Sequence, residues 1–246
     1  MTATSPRADY GVDAPYAPIL MAIGGLGLLT LSALRLAEDG RAVTVVAPMF
    51  GGMWLLLNAA VFVHTTRLGK FAVWSELLDG LALTGGERLL DIGCGRGAVL
   101  LMAAKRLPRG RAVGVDVWSS KDQSGNAEAV TRVNAAAEGV ADRIELHTAD
   151  MRQLPFADDS FDVVVSSLAI HNVPGADQRA RALREAARVL KRGGRLLIAD
   201  IRHVRVYARE LEACGLTITD RRSLGIRFWY AFGPWAATHM VAATKP

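Results

Sequence analysis

Residues 88–100 decide the fold of this chain, and they read RLLDIGCGRGAVL. The apolar run Leu89–Ile92 has the length of a short buried strand. Three glycines at alternate positions, Gly93, Gly95 and Gly97, then allow a tight turn and a close approach of the backbone to a ligand. A helix follows at once. The stretch therefore predicts a strand, a ligand-binding turn and a helix.

Two kinds of ligand fit this turn. Gly93, Gly95 and Ala98 satisfy the loose dinucleotide pattern G-x-G-x-x-A, in which the start of the helix holds a pyrophosphate. Asp91, however, places a carboxylate beside the first glycine, where it favours the amino end of a cationic sulfonium ligand over an anionic pyrophosphate. The order D-x-G-x-G-x-G resembles motif I of the class I S-adenosylmethionine-dependent methyltransferases, in their broad type 11-like group.

The resemblance covers roughly residues 71–246, and it implies S-adenosylmethionine as the cofactor. It also implies an α/β fold with a doubly wound seven-stranded sheet whose last strand is antiparallel. We expect the methyltransferase domain at 85–246, after a linking helix at 67–84. The strands predicted after the first lie at 112–116, 144–147, 161–168, 195–200, 216–220 and 237–243.

Acidic residues follow the predicted strands. Asp116 ends the second strand, where its carboxylate can accept hydrogen bonds from both hydroxyls of a ribose. Trp118 could pack on an adenine ring or cap the sheet edge. The resemblance assigns Asp150 to the adenine amino group and Ser167 to the methionine part of the donor. The predicted donor-binding set is Asp91, Gly93, Cys94, Gly95, Gly97, Asp116, Val117, Trp118, Asp150, Met151 and Ser167.

By the same resemblance, His171 and Asn172 lie where they face the reactive methyl group. His171 is the one residue we nominate as a general base; otherwise it positions the substrate or braces its loop. Gln123 and Asn126, in a polar stretch, are candidate contacts or parts of a solvated loop. We expect no metal site. An aromatic connection between the last two strands could wall the substrate pocket, reach the lipid interface or form a core cluster: Phe228, Trp229, Tyr230, Phe232 and Trp235.

The chain is 51% hydrophobic, and the excess lies near its N-terminus. Residues 1–13 are polar and are predicted to be disordered. Ala14–Leu34 and Ala42–Thr66 are uncharged runs of 21 and 25 residues, separated by a short polar turn. Runs of this length predict a transmembrane helical hairpin at 14–66. The alternatives are helices that lie flat on the membrane or that cover the catalytic domain. A signal peptide would be shorter and single.

The net charge of +5 is uneven, because residues 1–66 hold three arginines and four acids. The rest of the chain is basic, which favours an anionic lipid surface; no motif points to nucleic acid. Two cysteines without metal-ligand spacing fit a reduced compartment. We therefore expect a cytoplasmic-membrane protein with its catalytic domain in the cytosol and a small or lipid-like methyl acceptor. Ala47 and Gly51 offer a surface for helix contact, so a homo-oligomer through the hairpin is conceivable. A nicotinamide-dependent oxidoreductase and a non-catalytic donor-binding membrane protein are the alternatives.

Overall fold

The computed structural model describes residues 8–38, 40–120, 122–233 and 236–246. The helices of these ranges are α1 (Tyr16–Glu38), α2 (Ala42–His64), α3 (Lys70–Gly80), α4 (Ala98–Lys105), α5 (Glu128–Ala137), α6 (Ala176–Val189) and α7 (Val204–Ala213). The strands are β1 (Arg88–Ile92), β2 (Arg111–Asp116), β3 (Ile144–Thr148), β4 (Phe161–Ser167), β5 (Leu190–Asp200), β6 (Thr217–Ser223) and β7 (His239–Thr244).

The seven strands form one sheet in the order β3-β2-β1-β4-β5-β7-β6. Strands β1 to β5 pair in parallel, and β7 inserts antiparallel between β5 and β6. The predicted doubly wound sheet with an antiparallel last strand is therefore confirmed. The strand order reverses between β1 and β4, and a ligand site is expected beside the carboxyl ends of strands at such a point.

Both faces of the sheet are buried. One face packs on a cluster that includes Trp74 of α3 and Leu100 of α4. The opposite face packs on Leu183 of α6 and Tyr207 of α7. Apolar burial on two sides explains why β1, β2 and β4 are almost continuously hydrophobic rather than alternating.

Helices α1 and α2 form an antiparallel hairpin outside the sheet. A Cβ atom at Gly25 would lie 2.9 Å from the carbonyl oxygen of Gly52, and one at Gly52 would lie 2.7 Å from that of Gly25. The two backbones therefore touch at this pair of glycines. The predicted contact through Ala47 and Gly51 is displaced, since Ala47 is exposed and a Cβ at Gly51 would meet Leu28.

Both hairpin helices are long and apolar enough to cross a membrane by length and composition. Each has 23 residues, about 34 Å at 1.5 Å per residue. Their most apolar windows have mean hydropathies of 1.9 and 1.8 and are 17% and 22% buried. Among the described residues, the large apolar side chains that are exposed lie on the hairpin or at Leu68 just after it, except Val117, Val133, Val206 and Ile226.

The second hairpin helix continues without a break into the domain that contains the sheet. Residues Thr65–Gly69 form one wider helical turn that joins α2 to α3. A Cβ atom at Gly69 would lie only 1.8 Å from the carbonyl oxygen of Arg227, so this turn lies directly against the connection between β6 and β7. The segment predicted as a linking helix is thus the C-terminal part of one long helix that ends at Gly80.

The prediction of a disordered N-terminus covers residues 8–13, which form defined contacts in the structure, and residues 1–7, which lie outside the described residues. Residues 8–15, which we name the strap, run across the glycine-rich turn. The amide of Asp9 donates to Asn134, and the Arg96 guanidinium donates to the Asp9 carboxylate at 2.9 Å. Tyr10 donates its hydroxyl proton to Glu138. No local sequence pattern indicates these contacts, because they join residues far apart in the chain.

Candidate active site

A cavity of about 680 Å³ opens beside the carboxyl ends of β1, β2 and β4. Most of the predicted site residues line it: Asp91, Gly93, Cys94, Gly95, Asp116, Val117, Asp150, Met151, Ser167 and His171. Gly97 and Trp118 do not line it. The volume lies within the range of about 300–1,000 Å³ typical of small-molecule sites.

Asp91 has an unusual environment. Its side chain is 1% exposed, and neither carboxylate oxygen has a hydrogen-bond partner among the described residues. Burial and the nearby charge of Asp116 raise the pKa of Asp91 to about 8. An unpaired buried carboxylate costs free energy unless a cation compensates it. The site therefore fits a ligand with an amino group, such as the methionine end of S-adenosylmethionine.

The first two glycines of the turn are favoured by their backbone conformation, and both positions are also closely packed. Gly93 and Gly95 have φ angles of 74° and 49°, in the left-handed region. A Cβ at Gly93 would lie 2.2 Å from Cβ of Ala169, and one at Gly95 would lie 2.4 Å from Oε1 of Gln123. Gly97 differs, because a Cβ there would meet core side chains of Thr131 and Leu101. Its place is in helix packing, away from the cavity.

Cys94 lines the cavity but carries an unreactive thiol. The residue is buried, and burial, together with the charges of Asp91 and Asp116, raises the pKa of its thiol well above the usual value. A thiol in such surroundings remains protonated and packs as a small apolar group.

Asp116 is held rigidly at the end of β2. One carboxylate oxygen accepts from the amide of Gly95 at 2.8 Å, and the other accepts from the amide of Trp118 at 2.6 Å and from Asn126 at 3.3 Å. The Trp118 indole turns the other way and donates to Thr148 at 2.7 Å. Of the two roles considered for Trp118, its position at the sheet edge fits capping, and it lies outside the cavity that would hold an adenine ring.

Asp150 and Met151 line the cavity in the loop after β3. The Asp150 carboxylate pairs with the Arg152 guanidinium at 2.5 Å, and the hydrogen bonds from Arg152 hold the pKa of Asp150 below its usual value. Part of its acceptor capacity is therefore taken by protein groups. The loop residues Gln123 and Asn126 also line the cavity: Gln123 accepts from the amide of Arg96 at 2.9 Å, and Asn126 is buried. Lys121 lies outside the described residues.

His171 lies next to a buried acid that the sequence reasoning did not select. Its Nδ1 is 2.6 Å from Oδ1 of Asp200, a close contact whose angles fall outside those of a hydrogen bond and which becomes an ion pair only when the imidazole is protonated. The His171 amide donates to the same carboxylate at 3.0 Å, and Tyr207 donates its hydroxyl proton at 3.3 Å. Asp200 is fully buried. The available signal was its position at the end of β5, beside the strand end that precedes His171.

The far wall of the cavity belongs to α3 and the aromatic connection. Trp74 is fully buried and donates its indole N–H to Ser167 at 2.8 Å. Lys70 pairs with Asp13 of the strap at 2.8 Å, and Tyr230 donates its hydroxyl proton to the same carboxylate at 2.8 Å. Burial and the charge of Asp13 raise the pKa of Tyr230 well above its usual value.

The aromatic connection divides between two of the roles considered for it. Phe228 and Tyr230 are buried core residues, and Tyr230 also lines the cavity. Phe232 packs against Trp54 of α2 with ring centroids 5.7 Å apart, and its amide donates to Asn58. Trp235 lies outside the described residues.

Comparison with known proteins agrees with this geometry. The family profile described as a methyltransferase domain matches residues 90–198. The ubiquinone/menaquinone biosynthesis C-methyltransferase UbiE of Roseobacter denitrificans is 37% identical over 134 residues, 54% of this chain and 50% of that protein. The 27-O-demethylrifamycin SV methyltransferase of Amycolatopsis mediterranei is 34% identical over 151 residues, 61% of this chain and 49% of that protein. The chain spans about half the length of these curated relatives.

Solved structures share the fold. The [4+2]-cyclase SpnF superposes with a TM-score of 0.58 and 21% identity, covering 96% of this chain and 99% of its own. A geranyl diphosphate methyltransferase superposes with a TM-score of 0.59 and 19% identity, covering 77% and 82%. One of these neighbours is named for a cyclisation, so the fold by itself does not decide the reaction.

Residues 90–198 are thus similar to the domain of class I S-adenosylmethionine-dependent methyltransferases, and the fold and the cavity agree with that similarity. S-adenosylmethionine is the cofactor of that class, and the unpaired Asp91 carboxylate with the close glycine turn fits it. The dinucleotide interpretation of the glycine pattern is thereby set aside.

Proposed function

We propose that this chain is a membrane-anchored methyltransferase that transfers a methyl group from S-adenosylmethionine to a small lipophilic acceptor. One observation carries the proposal: the unpaired carboxylate of Asp91 and the imidazole of His171, which is backed by the buried Asp200, line a single cavity. Relatives named for quinone biosynthesis and for a rifamycin support a small-molecule acceptor. They do not decide which atom of the acceptor is methylated.

The donor would be held by groups already fixed in place. Asp91 would receive its amino group, Asp116 its ribose hydroxyls, and the turn at Gly93 and Gly95 would let the backbone approach closely. When bound, S-adenosylmethionine supplies an electrophilic methyl group on a good leaving group. Catalysis then depends mainly on holding the acceptor in line with that methyl group.

His171 would act as the general base when the acceptor nucleophile carries a proton. The Asp200 carboxylate beside Nδ1 favours the tautomer with its proton on that nitrogen, which leaves Nε2 free to accept one. Asp200 would thus be a positioning residue. An acceptor that must lose a proton, such as a phenol, an alcohol or an activated carbon acid, fits this arrangement best.

The hairpin would anchor the enzyme in the membrane. Its helices leave their large apolar side chains exposed and bury only a narrow seam of small residues. Exposure of such side chains to water would be unfavourable, whereas exposure to lipid is not. Two spans return the chain to the side on which it began, so the strap and the catalytic domain would both lie in the cytosol, where the donor is available. Helices that lie flat on the membrane remain the alternative.

The test is transfer of an isotope-labelled methyl group from S-adenosylmethionine into a membrane lipid extract. We expect transfer with the native chain, and a loss of about 10²–10⁴-fold in kcat for His171→Gln. Asp200→Asn should lower the rate and shift its pH profile, while affinity for S-adenosylhomocysteine stays unchanged in both variants. Donor binding without transfer to any fraction would instead indicate a non-catalytic donor-binding protein.

A further inference from the structure

One continuous helix connects the active-site cavity to the hairpin. Trp74 of α3, fixed to the end of β4 through Ser167, lines the cavity, and so do Phe71 and, at the end of α2, Phe62. From Phe62 to Trp74 the helix axis extends about 18 Å at 1.5 Å per residue. The cavity therefore runs from the edge of the sheet to the last turn of the second hairpin helix.

Tyr16 marks one of the places where this cavity meets the surface. It is the first residue of α1, it lines the cavity, and it is 61% exposed. Ile19 and Leu20, in the next turn of the same helix, begin the exposed apolar surface of the hairpin. The mouth of the cavity is thus continuous with the surface that the proposed function places in lipid.

The charged groups at this end of the cavity are compensated. The Lys70 ammonium is 6% exposed and lies within 2.9 Å of both oxygens of the Asp13 carboxylate, which also accepts from Tyr230. The aromatic side chains described above and Ala14 line the wall beside this pair, and the exposed Asp122 lies at the surface next to Ala14. Inside that surface rim, this wall offers contacts to an apolar chain and no uncompensated charge.

We propose that Tyr16, Phe62, Phe71 and Trp74 form an acceptor portal. The acceptor is a single-chain amphiphile: its polar head reaches His171, and its apolar chain lies along these aromatic residues and leaves past Tyr16 into the bilayer. The proposal rests on the proposed function. A cavity of about 680 Å³ has to hold the donor as well as the head, so a long chain must extend outside it.

The portal is tested with a photoreactive probe, 3-pentadecylphenol carrying a diazirine on its chain. The full-length protein is placed in phosphatidylcholine nanodiscs with this probe, illuminated and mapped by peptide mass spectrometry. We expect saturable labelling near Tyr16 and between Phe62 and Phe71. Excess unlabelled 3-pentadecylphenol should remove it, and phenol, which lacks the chain, should not.

Matched variants separate the portal from ordinary contact with lipid. Tyr16→Ala should raise the probe concentration that gives half-maximal labelling about tenfold. This change corresponds to about 1.4 kcal/mol of binding free energy. Ile23→Ala is the control, since Ile23 lies on the same helix, is 62% exposed and does not line the cavity. Labelling that is spread along the hairpin, resists competition or responds equally to both variants would overturn the portal.

A titration of the same nanodiscs with S-adenosylhomocysteine distinguishes failure of the portal from failure of the proposed function. Binding of S-adenosylhomocysteine together with unsaturable labelling would overturn the portal alone. Failure to bind S-adenosylhomocysteine would overturn the proposed function and, with it, the assignment of the labelled groove to a methyl acceptor.

Discussion

The hairpin and the catalytic domain place the same kinds of apolar side chain in opposite positions. In the domain, residues such as Leu90 and Leu101 are fully buried on the two faces of the sheet. In the hairpin, Ile23 and Leu26 are more than half exposed, while the backbones at Gly25 and Gly52 touch. Burial from water stabilises the first arrangement. Close packing of small residues, with lipid as the surrounding solvent, fits the second.

Of the contacts that join these regions, three lie at or beside the cavity. The helix from α2 to α3 is continuous, the strap crosses the glycine-rich turn, and the Asp13–Lys70 pair ties the start of the hairpin to its end. The hairpin is therefore part of the site as well as an attached pair of helices. The residues at its base are also walls of the active-site cavity.

The largest effect is expected from a charge on the exposed apolar side of the hairpin, which the proposed function places in lipid. Leu26→Lys places an ammonium group near the middle of α1, at a cost to membrane insertion of about 2.5–3.5 kcal/mol. Vesicle flotation of the full-length chain should show a clear loss of the membrane-bound fraction. Val206→Lys is the control, because Val206 is an exposed apolar residue of α7 in the catalytic domain. Equal behaviour of the two variants would contradict the comparison.

A substitution at the joint between the two regions should have the next largest effect. Gly69→Ala forces a methyl group onto the carbonyl oxygen of Arg227, and we expect a loss of about 2 kcal/mol in the free energy of unfolding of the catalytic domain. Gly80→Ala is the matched control, since a Cβ there meets nothing within 4 Å. Chemical denaturation in detergent measures both. A Gly69→Ala variant with the native free energy of unfolding would mean that the contact between Gly69 and Arg227 is not closely packed.

A smaller effect per pH unit is expected at Asp91. Its pKa is raised from 3.8 to about 8 in the folded chain, so the protonated carboxyl favours the folded state. That contribution is complete below pH 4 and is lost as the pH rises toward 8, by at most about 1.4 kcal/mol per unit. The ligand-free protein should therefore melt at lower temperature at pH 7.5 than at pH 5.5. Asp91→Asn should reduce this difference.

Binding of the donor product should change the protonation of Asp91 in the opposite direction to folding. A cationic amino group next to Asp91 favours the ionised carboxylate, so binding of S-adenosylhomocysteine at pH 6.5 should release a proton. Calorimetry in two buffers of different ionisation enthalpy measures this release. A flat melting profile that is the same for the native chain and Asp91→Asn would show that this carboxylate has an ordinary pKa.

The sequence predicted the parts of the fold that are determined by residues close together in the chain. The first strand, the glycine-rich turn at Gly93 and Gly95, and the later strands follow from short apolar runs and turn residues. The arrangement of the sheet was implied by the family resemblance, and the structure confirms it. The hairpin helices were visible as uncharged runs, and the structure forms them as α1 and α2. Their placement in a membrane stays a prediction.

What the sequence did not predict depends on residues far apart in the chain. Asp13 and Lys70 are separated by 57 positions, and the strap meets Asn134 across 125. Asp200 reaches His171 only because β4 and β5 are neighbours in the sheet. Residues 8–13 looked disordered because their composition is polar, yet their polar groups are the ones that bind the glycine-rich turn and its flanking loop.

The most direct test of the central claim is a calorimetric titration of the full-length chain in detergent with S-adenosylhomocysteine, and with NADH in parallel. We predict micromolar binding of S-adenosylhomocysteine alone. Asp116→Ala, which removes charge-assisted hydrogen bonds, should weaken that binding about tenfold or more, whereas Asp142→Ala, at an exposed acid, should not. Binding of NADH alone, or an Asp116→Ala variant with native affinity, would contradict the account.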